Sequence, residues 1–400
     1  MSAPQTLPLV SITAWSSGGT PSRSNDAYWN GRIPWISAAT LKGSRIAGSD
    51  QHLTEAGLRA GSNLAPKGAT LVLVRGMALH RETRIGLAQL PVSFNQDVKA
   101  LVPKAGILPE FLLYALQARS SQIRELVSSA GSGTGVLNTQ LLQRLPIWVP
   151  SQETQRTVVQ AMSDVDDLIA TRERLIVKKQ LMKQGMMQQL LTGRTRLPGF
   201  SLPWTQVHLG DVGESLIGLT YSPANVKRSG TLVLRSSNIQ DGQLSFDDNV
   251  FVDSPIPSRI RVRENDILIC VRNGSRVLIG KSVMLDRRVV GQTFGAFMAV
   301  YRSQLNPFLQ YFFQSDRFKR QIDEHLGATI NQITNASLNG FVADMPDDPA
   351  EQAAIGGVLA DTEFEIAILQ ARLDKARDIK TGVMQQLLIG RTRLPMEAGS

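Results

Sequence analysis

The chain has 400 residues, 42% of them hydrophobic and 19% charged, with 33 glycines, 19 prolines and a formal net charge of +9. This composition excludes extended disorder and gives enough chain for more than one core; a single cysteine, Cys270, excludes a disulfide or a cysteine-based zinc site. No signal peptide opens the chain, and no apolar run approaches the roughly 18 residues of a membrane span, so a cytoplasmic placement with no membrane partner is expected.

The positive charge is uneven. Residues 1–150 hold 14 Lys+Arg against 7 Asp+Glu, and residues 151–200 hold 8 against 5. Residues 201–347 are almost balanced, at 15 against 14, yet their arginines cluster in Arg259-Ile-Arg-Val-Arg263 and Arg272-Asn-Gly-Ser-Arg276. Excess positive charge points to a polyanionic partner, because phosphate neutralisation and counterion release supply most nonspecific nucleic-acid affinity.

In chain order, Gly68-Ala-Thr-Leu-Val-Leu-Val-Arg75 reads as a buried strand, and Leu145-Pro-Ile-Trp-Val-Pro150 as a short strand closed by proline. A long helical pattern follows and is expected to stop near Gly193. Past Arg194-Thr-Arg-Leu-Pro198 the order repeats: Asn265-Asp-Ile-Leu-Ile-Cys-Val-Arg272 is a strand, Phe341-Val-Ala-Asp-Met-Pro346 a short strand, and a second long helix is expected to end near Gly390. The repeat is literal at the helix ends. Gly185-Met-Met-Gln-Gln-Leu-Leu-Thr-Gly-Arg-Thr-Arg-Leu-Pro198 returns 197 residues later as Gly382 to Pro395, with 12 of 14 positions identical. A period of that size is a duplicated domain rather than a solenoid unit.

The second helix carries an a/d seam of Leu359, Thr362, Ile366, Leu369, Leu373, Ala376, Lys380, Val383 and Leu387. The same offset in the first helix gives Met162, Val165, Ile169, Arg172, Ile176, Lys179, Lys183, Met186 and Leu190, backed by a flanking stripe of Leu168, Leu175 and Met182. Two such helices in a duplicated chain each satisfy the other's apolar stripe. The expected fold is α+β: two globular α/β domains separated by two long helices in an antiparallel coiled coil, related by a pseudo-twofold duplication. About 40 helical residues rise roughly 60 Å, a rigid ruler between the domains. The expected segments are a first domain over 1–150, a helix over 151–193, a second domain over 194–347 with a linker at 194–203, a helix over 348–391 and a tail over 392–400. Lys179, Lys183 and Lys380 are either register devices or solvated seam ends. Asp164, Asp166 and Asp167 are read as acids on an early helical turn.

Catalytic equipment is missing from the sequence. There is no phosphate-cradling or dinucleotide-binding glycine loop and no H-E-x-x-H. The four histidines are scattered, and no Asn/Asp-Pro-Pro-Tyr string of the amino-methyltransferases is present. Neither a catalytic nor a metal site is expected.

Gly18-Gly-Thr-Pro-Ser22, Tyr28-Trp-Asn-Gly-Arg-Ile-Pro-Trp-Ile36 and Asn95-Gln96 resemble the first target-recognition domain of a type I restriction-modification specificity subunit. Asp266-Ile-Leu-Ile269, Arg272-Asn-Gly-Ser275, Leu278-Ile-Gly-Lys281, Phe294-Gly-Ala-Phe-Met298 and Thr329-Ile-Asn-Gln-Ile-Thr334 are similar to another variety of that domain. The helices preceded by Pro150 and Pro346, with Gln155, Glu351 and Gln352 and the two Met-Gln-Gln-Leu-Leu strings, resemble the family's conserved spacers. The resemblance implies a non-catalytic chain that reads one half of an asymmetric bipartite double-stranded DNA site with each domain. It also implies docking of two adenine methyltransferase subunits, which use S-adenosylmethionine, and of restriction subunits, which use ATP and Mg. No cofactor is implied in this chain. Candidate DNA contacts by donor chemistry are Arg75, Arg81, Arg84, Asn95 and Gln96 in the first domain, and Arg235, Asn238, Arg272, Asn273, Arg276 and Lys281 in the second. The second domain has Gly218-Leu-Thr-Tyr-Ser-Pro223 where the first has a plain Gly-Thr-Pro turn, and it lacks an Asn-Gln pair. Two other readings stay open: a coiled-coil protein-binding scaffold without DNA specificity, and a self-sufficient nuclease or methyltransferase.

Overall fold

The structure is a computed structural model that describes residues 5–130, 133–326 and 331–388. Four helices position the rest: α1 (Pro109–Gln117), α2 (Gln152–Leu190), α3 (Asn306–Phe313) and α4 (Pro349–Leu388). Two compact units form, Met1–Glu173 with Ala371–Ser400, and Arg174–Gln370. Each unit therefore takes one globular part and one half of each long helix, a division that the linear segments do not follow.

In the first unit, Thr70–Leu73 lies inside a five-stranded sheet between Val98–Pro103 and Ile85–Ala88, with Thr13–Ser17 and Arg45–Ile46 at the edges. All four residues of Thr70–Leu73 are buried, which is why the stretch reads as a continuous apolar run rather than an alternating one. A second sheet runs His52–Leu53, Trp29–Ile36, Val92–Phe94, Asn63–Ala65. Within it Trp29–Ile36 and Val92–Phe94 pair in parallel, with Ile36 opposite Phe94. Six consecutive residues of α1, Phe111 to Leu116, are buried, as expected of a helix apolar all round. Val158 and Met162 of α2 and Leu387 and Leu388 of α4 join the same core. The α2 and α4 segments here run antiparallel: Asp166 pairs with Lys380 and Glu173 with Arg377.

The second unit repeats this plan. Ile267–Cys270 sits between Met298–Arg302 and Ser282–Met284, with Glu214–Ile217 outside. A second sheet pairs Thr231–Leu234 in parallel with Thr293–Phe294, Leu234 lying opposite Phe294. Leu190 and Leu191 of the first repeated string and Ile355 and Leu359 of α4 enter this core. Here too the helices are antiparallel, since Lys179 pairs with Glu365 and Lys183 with Glu363. In each unit the opening strand pairs with the one that leads into the long helix: Gln5–Pro8 with Pro146–Val149, and Trp204–His208 with Val342–Pro346.

The duplication reaches individual atoms. Tyr114 Oη donates to Asp166 at 2.9 Å, and Tyr311 Oη to Glu363 at 3.1 Å. Lys380 Nζ stands 5.9 Å from the Tyr114 ring centroid and Lys183 Nζ 5.8 Å from that of Tyr311. Gln155 Nε2 donates to the Pro150 carbonyl and Gln352 Nε2 to that of Pro346. Gly18 and Gly218 share a further constraint. A Cβ on Gly18 would fall 2.0 Å from the Phe94 carbonyl oxygen, and one on Gly218 would fall 2.3 Å from that of Gly295.

Met162, Ile176, Leu190, Leu359, Leu373 and Leu387 are buried, and Val165, Ile169, Met186, Ile366, Leu369 and Val383 are half-buried. Three expectations are corrected. The flanking residues Leu168, Leu175 and Met182 are exposed, because the partner segment covers only the narrower a/d stripe. Asp164, Asp166 and Asp167 lie well inside α2, more than ten residues past its start, where the helix dipole gives them nothing. Lys179, Lys183 and Lys380 are ion-paired across helices rather than solvated seam ends. The α2 helix ends at Leu190, and Gly193 follows with φ +66, a left-handed stop that favours glycine. The end of the second helix near Gly390, the repeated string from Ile389 on, Thr329 and Ile330, and the 392–400 tail fall outside the described residues.

Candidate functional site

In each unit the central strand delivers an arginine to the same place. After Thr70–Leu73, the amides of Val74 and Arg75 both donate to the Asp97 carbonyl, and Arg75 bridges to Val136. After Ile267–Cys270, the amides of Val271 and Arg272 both donate to the Phe297 carbonyl, and Arg272 bridges to Gln332. Arg75 and Arg272 are thus equivalent by hydrogen-bond pattern. Both are exposed, and neither has a carboxylate partner among the described residues. Arg272 holds its guanidinium 5.0 Å from the ring centroid of Phe297, itself 57% exposed. Arg81 is also exposed without a carboxylate partner, its carbonyl accepting from Arg124.

The other candidates have internal work. Arg84 pairs with Glu82 at 2.7 Å and donates to the Ala38 carbonyl at 2.6 Å. Asn95 is 6% exposed and closes a turn through Asp97, donating to its carboxylate and accepting from its amide. Gln96 is exposed and accepts from Thr20 Oγ1 at 2.7 Å. Asn238 is fully buried, accepting from the Arg235 amide and donating to Ser245 and Asn249. Arg235 pairs with Asp248, and Lys281 donates to the Ile239 carbonyl. Asn273 accepts from the Ser275 amide at 3.0 Å, and Arg276 reaches Asp323 at 3.6 Å. Donor chemistry alone did not separate these anchors from Arg75, Arg81 and Arg272, because their acceptors lie up to tens of residues away in sequence.

Beside Arg272 lies a cleft of about 470 Å³ lined by Tyr221, Arg235, Ser237, Gly295 and Phe297 among others. The Arg235 Nε and the Ser237 Oγ are buried there with no hydrogen-bond partner among the described residues. Phe297 and this cleft were not anticipated from sequence. Gly295 and Ala296 are among the residues that line it. Trp35 is buried and Trp29 half-buried, and their rings pack edge to face at 5.2 Å. Arg23, also missed, lies over both rings, at 4.7 and 5.2 Å.

Cys270 is fully buried, and burial pushes its thiol up, so it is an inert core residue. Among the described residues no group of three or more His, Cys, Asp or Glu side chains is arranged to hold a metal ion. No described helix is long and apolar enough to cross a membrane.

Residues 8–178 match a family model described as the type I restriction modification DNA specificity domain. The Escherichia coli type I restriction enzyme EcoR124I/EcoR124II specificity subunit is 30% identical over 162 residues, which is 40% of this chain and 40% of that one. A longer match, 22% identical over 301 residues, covers 71% of this chain and 70% of the MjaVIII specificity subunit of Methanocaldococcus jannaschii. Among solved structures, the S subunit of a type I restriction-modification system from M. genitalium superposes over 96% of both chains, with a TM-score of 0.59 at 13% identity. A chain from a study of complex assembly and conformational transition in the type I system reaches a TM-score of 0.60 at 15% identity, over 97% of this chain and 98% of that one. Residues 8–178 thus carry a type I restriction modification DNA specificity domain, and the chain shares the fold of solved type I S subunits.

Proposed function

We propose that this chain reads an asymmetric, bipartite double-stranded DNA site, each unit recognising one half, and itself performs no catalysis. The observation that carries this reading is the pair Arg75 and Arg272: two exposed guanidiniums with no carboxylate partner among the described residues, at equivalent backbone positions of two units whose neighbouring loops differ. Arginine is the side chain most suited to a guanine edge or a phosphate, and different loops around one conserved position suit two different half-sites. The net charge of +9 supports a polyanionic partner.

The chemistry belongs to partners in this reading. Two adenine methyltransferase subunits supply S-adenosylmethionine-dependent methylation, restriction subunits supply ATP- and Mg-dependent cleavage, and the assembly works on chromosomal DNA in the cytoplasm. Val177 and Leu181 of α2 are exposed apolar side chains one turn apart, which suits a helix face that takes up another protein.

The test is single-molecule sequencing of genomic DNA for N6-methyladenine in cells carrying the cognate methyltransferase, with and without this gene. A split, asymmetric motif that appears only with the gene supports the reading. R75A is expected to relax or abolish recognition of one half, and R272A the other. Methylation that is independent of the gene sinks the proposal and leaves the protein-binding scaffold in its place.

A further inference from the structure

In each unit the turn that follows Arg75 or Arg272 exposes one apolar side chain. Between Thr70–Leu73 and Ile85–Ala88 a short turn, Met77–His80, presents Met77 at 65% exposure while Leu79 of the same turn is buried. Between Ile267–Cys270 and Ser282–Met284 the equivalent turn, Arg276–Leu278, presents Val277 at 90% exposure, and the following Ile279 is buried. A single exposed apolar residue is ordinary. Its recurrence is not: both turns hold one apolar side chain inward and offer another to solvent, a few residues past Arg75 and Arg272. Arg81 follows one tip and Arg272 precedes the other, both exposed and with no carboxylate partner among the described residues.

We infer that Met77 and Val277 are specificity-determining residues, each packing against the 5-methyl group of a thymine in the major groove of its own half-site. This rests on the DNA reading proposed above. The chemistry follows from what a base edge offers beside a guanidinium. Hydrogen-bond acceptors of guanine or phosphate suit the arginine, and the thymine methyl is the one apolar group that the major groove displays. A β-branched valine and a flexible methionine both suit contact with a methyl, and neither suits a charged or solvated neighbour. The surrounding positive charge selects DNA over an apolar protein surface as the occupant.

The experiment measures binding of the full chain, assembled with its methyltransferase, to duplexes carrying its methylated motif. Each thymine in turn is replaced by uracil, which lacks only the methyl. In the wild type one replacement in each half-site is expected to weaken binding about fourfold, the contribution of one buried methyl. V277S should abolish that cost in one half-site and M77S in the other, whereas V277I should keep it. Equal uracil costs in wild type, V277S and M77S overturn the inference, and so does a motif in which no thymine-to-uracil change matters. In both cases a loss of binding in R75A and R272A leaves the DNA reading standing. Failure of the wild type to select any motif removes that reading itself.

Discussion

The paired units hold their helices through a repeated latch, and the latch is open to a quantitative test at Lys183. Lys183 pairs with Glu363, sits over the Tyr311 ring and reaches Gln314 at 3.3 Å. Its side chain is 18% exposed and that of Glu363 is 37%. A fully exposed pair contributes about 0.5 kcal/mol, and breaking a fully buried one costs about 3–5 kcal/mol. A half-buried pair falls between, and the aromatic face adds about 0.5 kcal/mol. K183M keeps the stem and removes the charge, leaving Glu363 with the Tyr311 hydroxyl alone. The expected loss is about 2 kcal/mol, which for a unit of this size is roughly 4–8 °C in thermal midpoint. K380M, which strips Asp166 of the same partner, should cost a similar amount. Differential scanning calorimetry of K183M, E363M and the double variant separates pairing from packing: the double variant should lose at least about 1 kcal/mol less than the two single losses combined. Additivity of the two losses refutes the latch as a coupled device.

Other consequences follow from the same geometry. G18A and G218A place a methyl against backbone carbonyls at 2.0 and 2.3 Å; each should destabilise the chain by about 2 kcal/mol or more in denaturant melts. G382A, whose added Cβ meets no described atom beyond its own helix backbone within 4 Å, should instead stabilise α4 by about 0.5–1 kcal/mol. R196M leaves the buried Glu351 carboxylate without its bidentate partner and should lower the thermal midpoint more than E351Q does; equal shifts contradict this. Burial, and for Tyr114 and Tyr311 the neighbouring carboxylate, pushes three phenols well above their usual range: Tyr114, Tyr301 and Tyr311. Because these folded-state values are raised, their contribution is complete below about pH 10 and is lost as pH climbs beyond it. Y301F should shrink that alkaline loss, read as the unfolding midpoint against pH; an unchanged profile excludes Tyr301 as a source.

Periodic features were legible because period is a local property of the chain. Thr70–Leu73 and Ile267–Cys270 are read as continuous apolar runs within a few residues, the a/d seam as a period along one helix, and the repeated string announces the duplication. Features closed over long separations were not. Asp166 looked like an acid near a helix start, yet its partners are Tyr114 and Lys380. The lysines of the seam were visible, but their acids on the other helix were not. At the site, Arg75 and Arg84 have identical donor chemistry and opposite situations, since only Arg84 finds Glu82 and the Ala38 carbonyl. The cleft beside Arg272 draws its lining from Tyr221, Arg235 and Phe297, which lie far apart in the sequence.

Comparing the two units shows which parts of the duplicated design tolerate divergence. The tyrosine–acid–lysine latch keeps its geometry although aspartate in one unit becomes glutamate in the other. The glutamine clamps on Pro150 and Pro346 and the glycines at 18 and 218 also persist. All of these fix backbone to backbone or globular part to helix, so a change in either unit opens a buried polar group or a steric clash. The loop that meets the central strand obeys no such constraint beyond its carbonyl: Asp97 in one unit and Phe297 in the other both accept the two strand-end amides. The side chains there are therefore free to differ while the arginine beside them stays in place. A fold that holds one cationic position fixed and lets the adjoining side chains vary can acquire a new half-site preference without repacking its core, and can do so in one unit at a time.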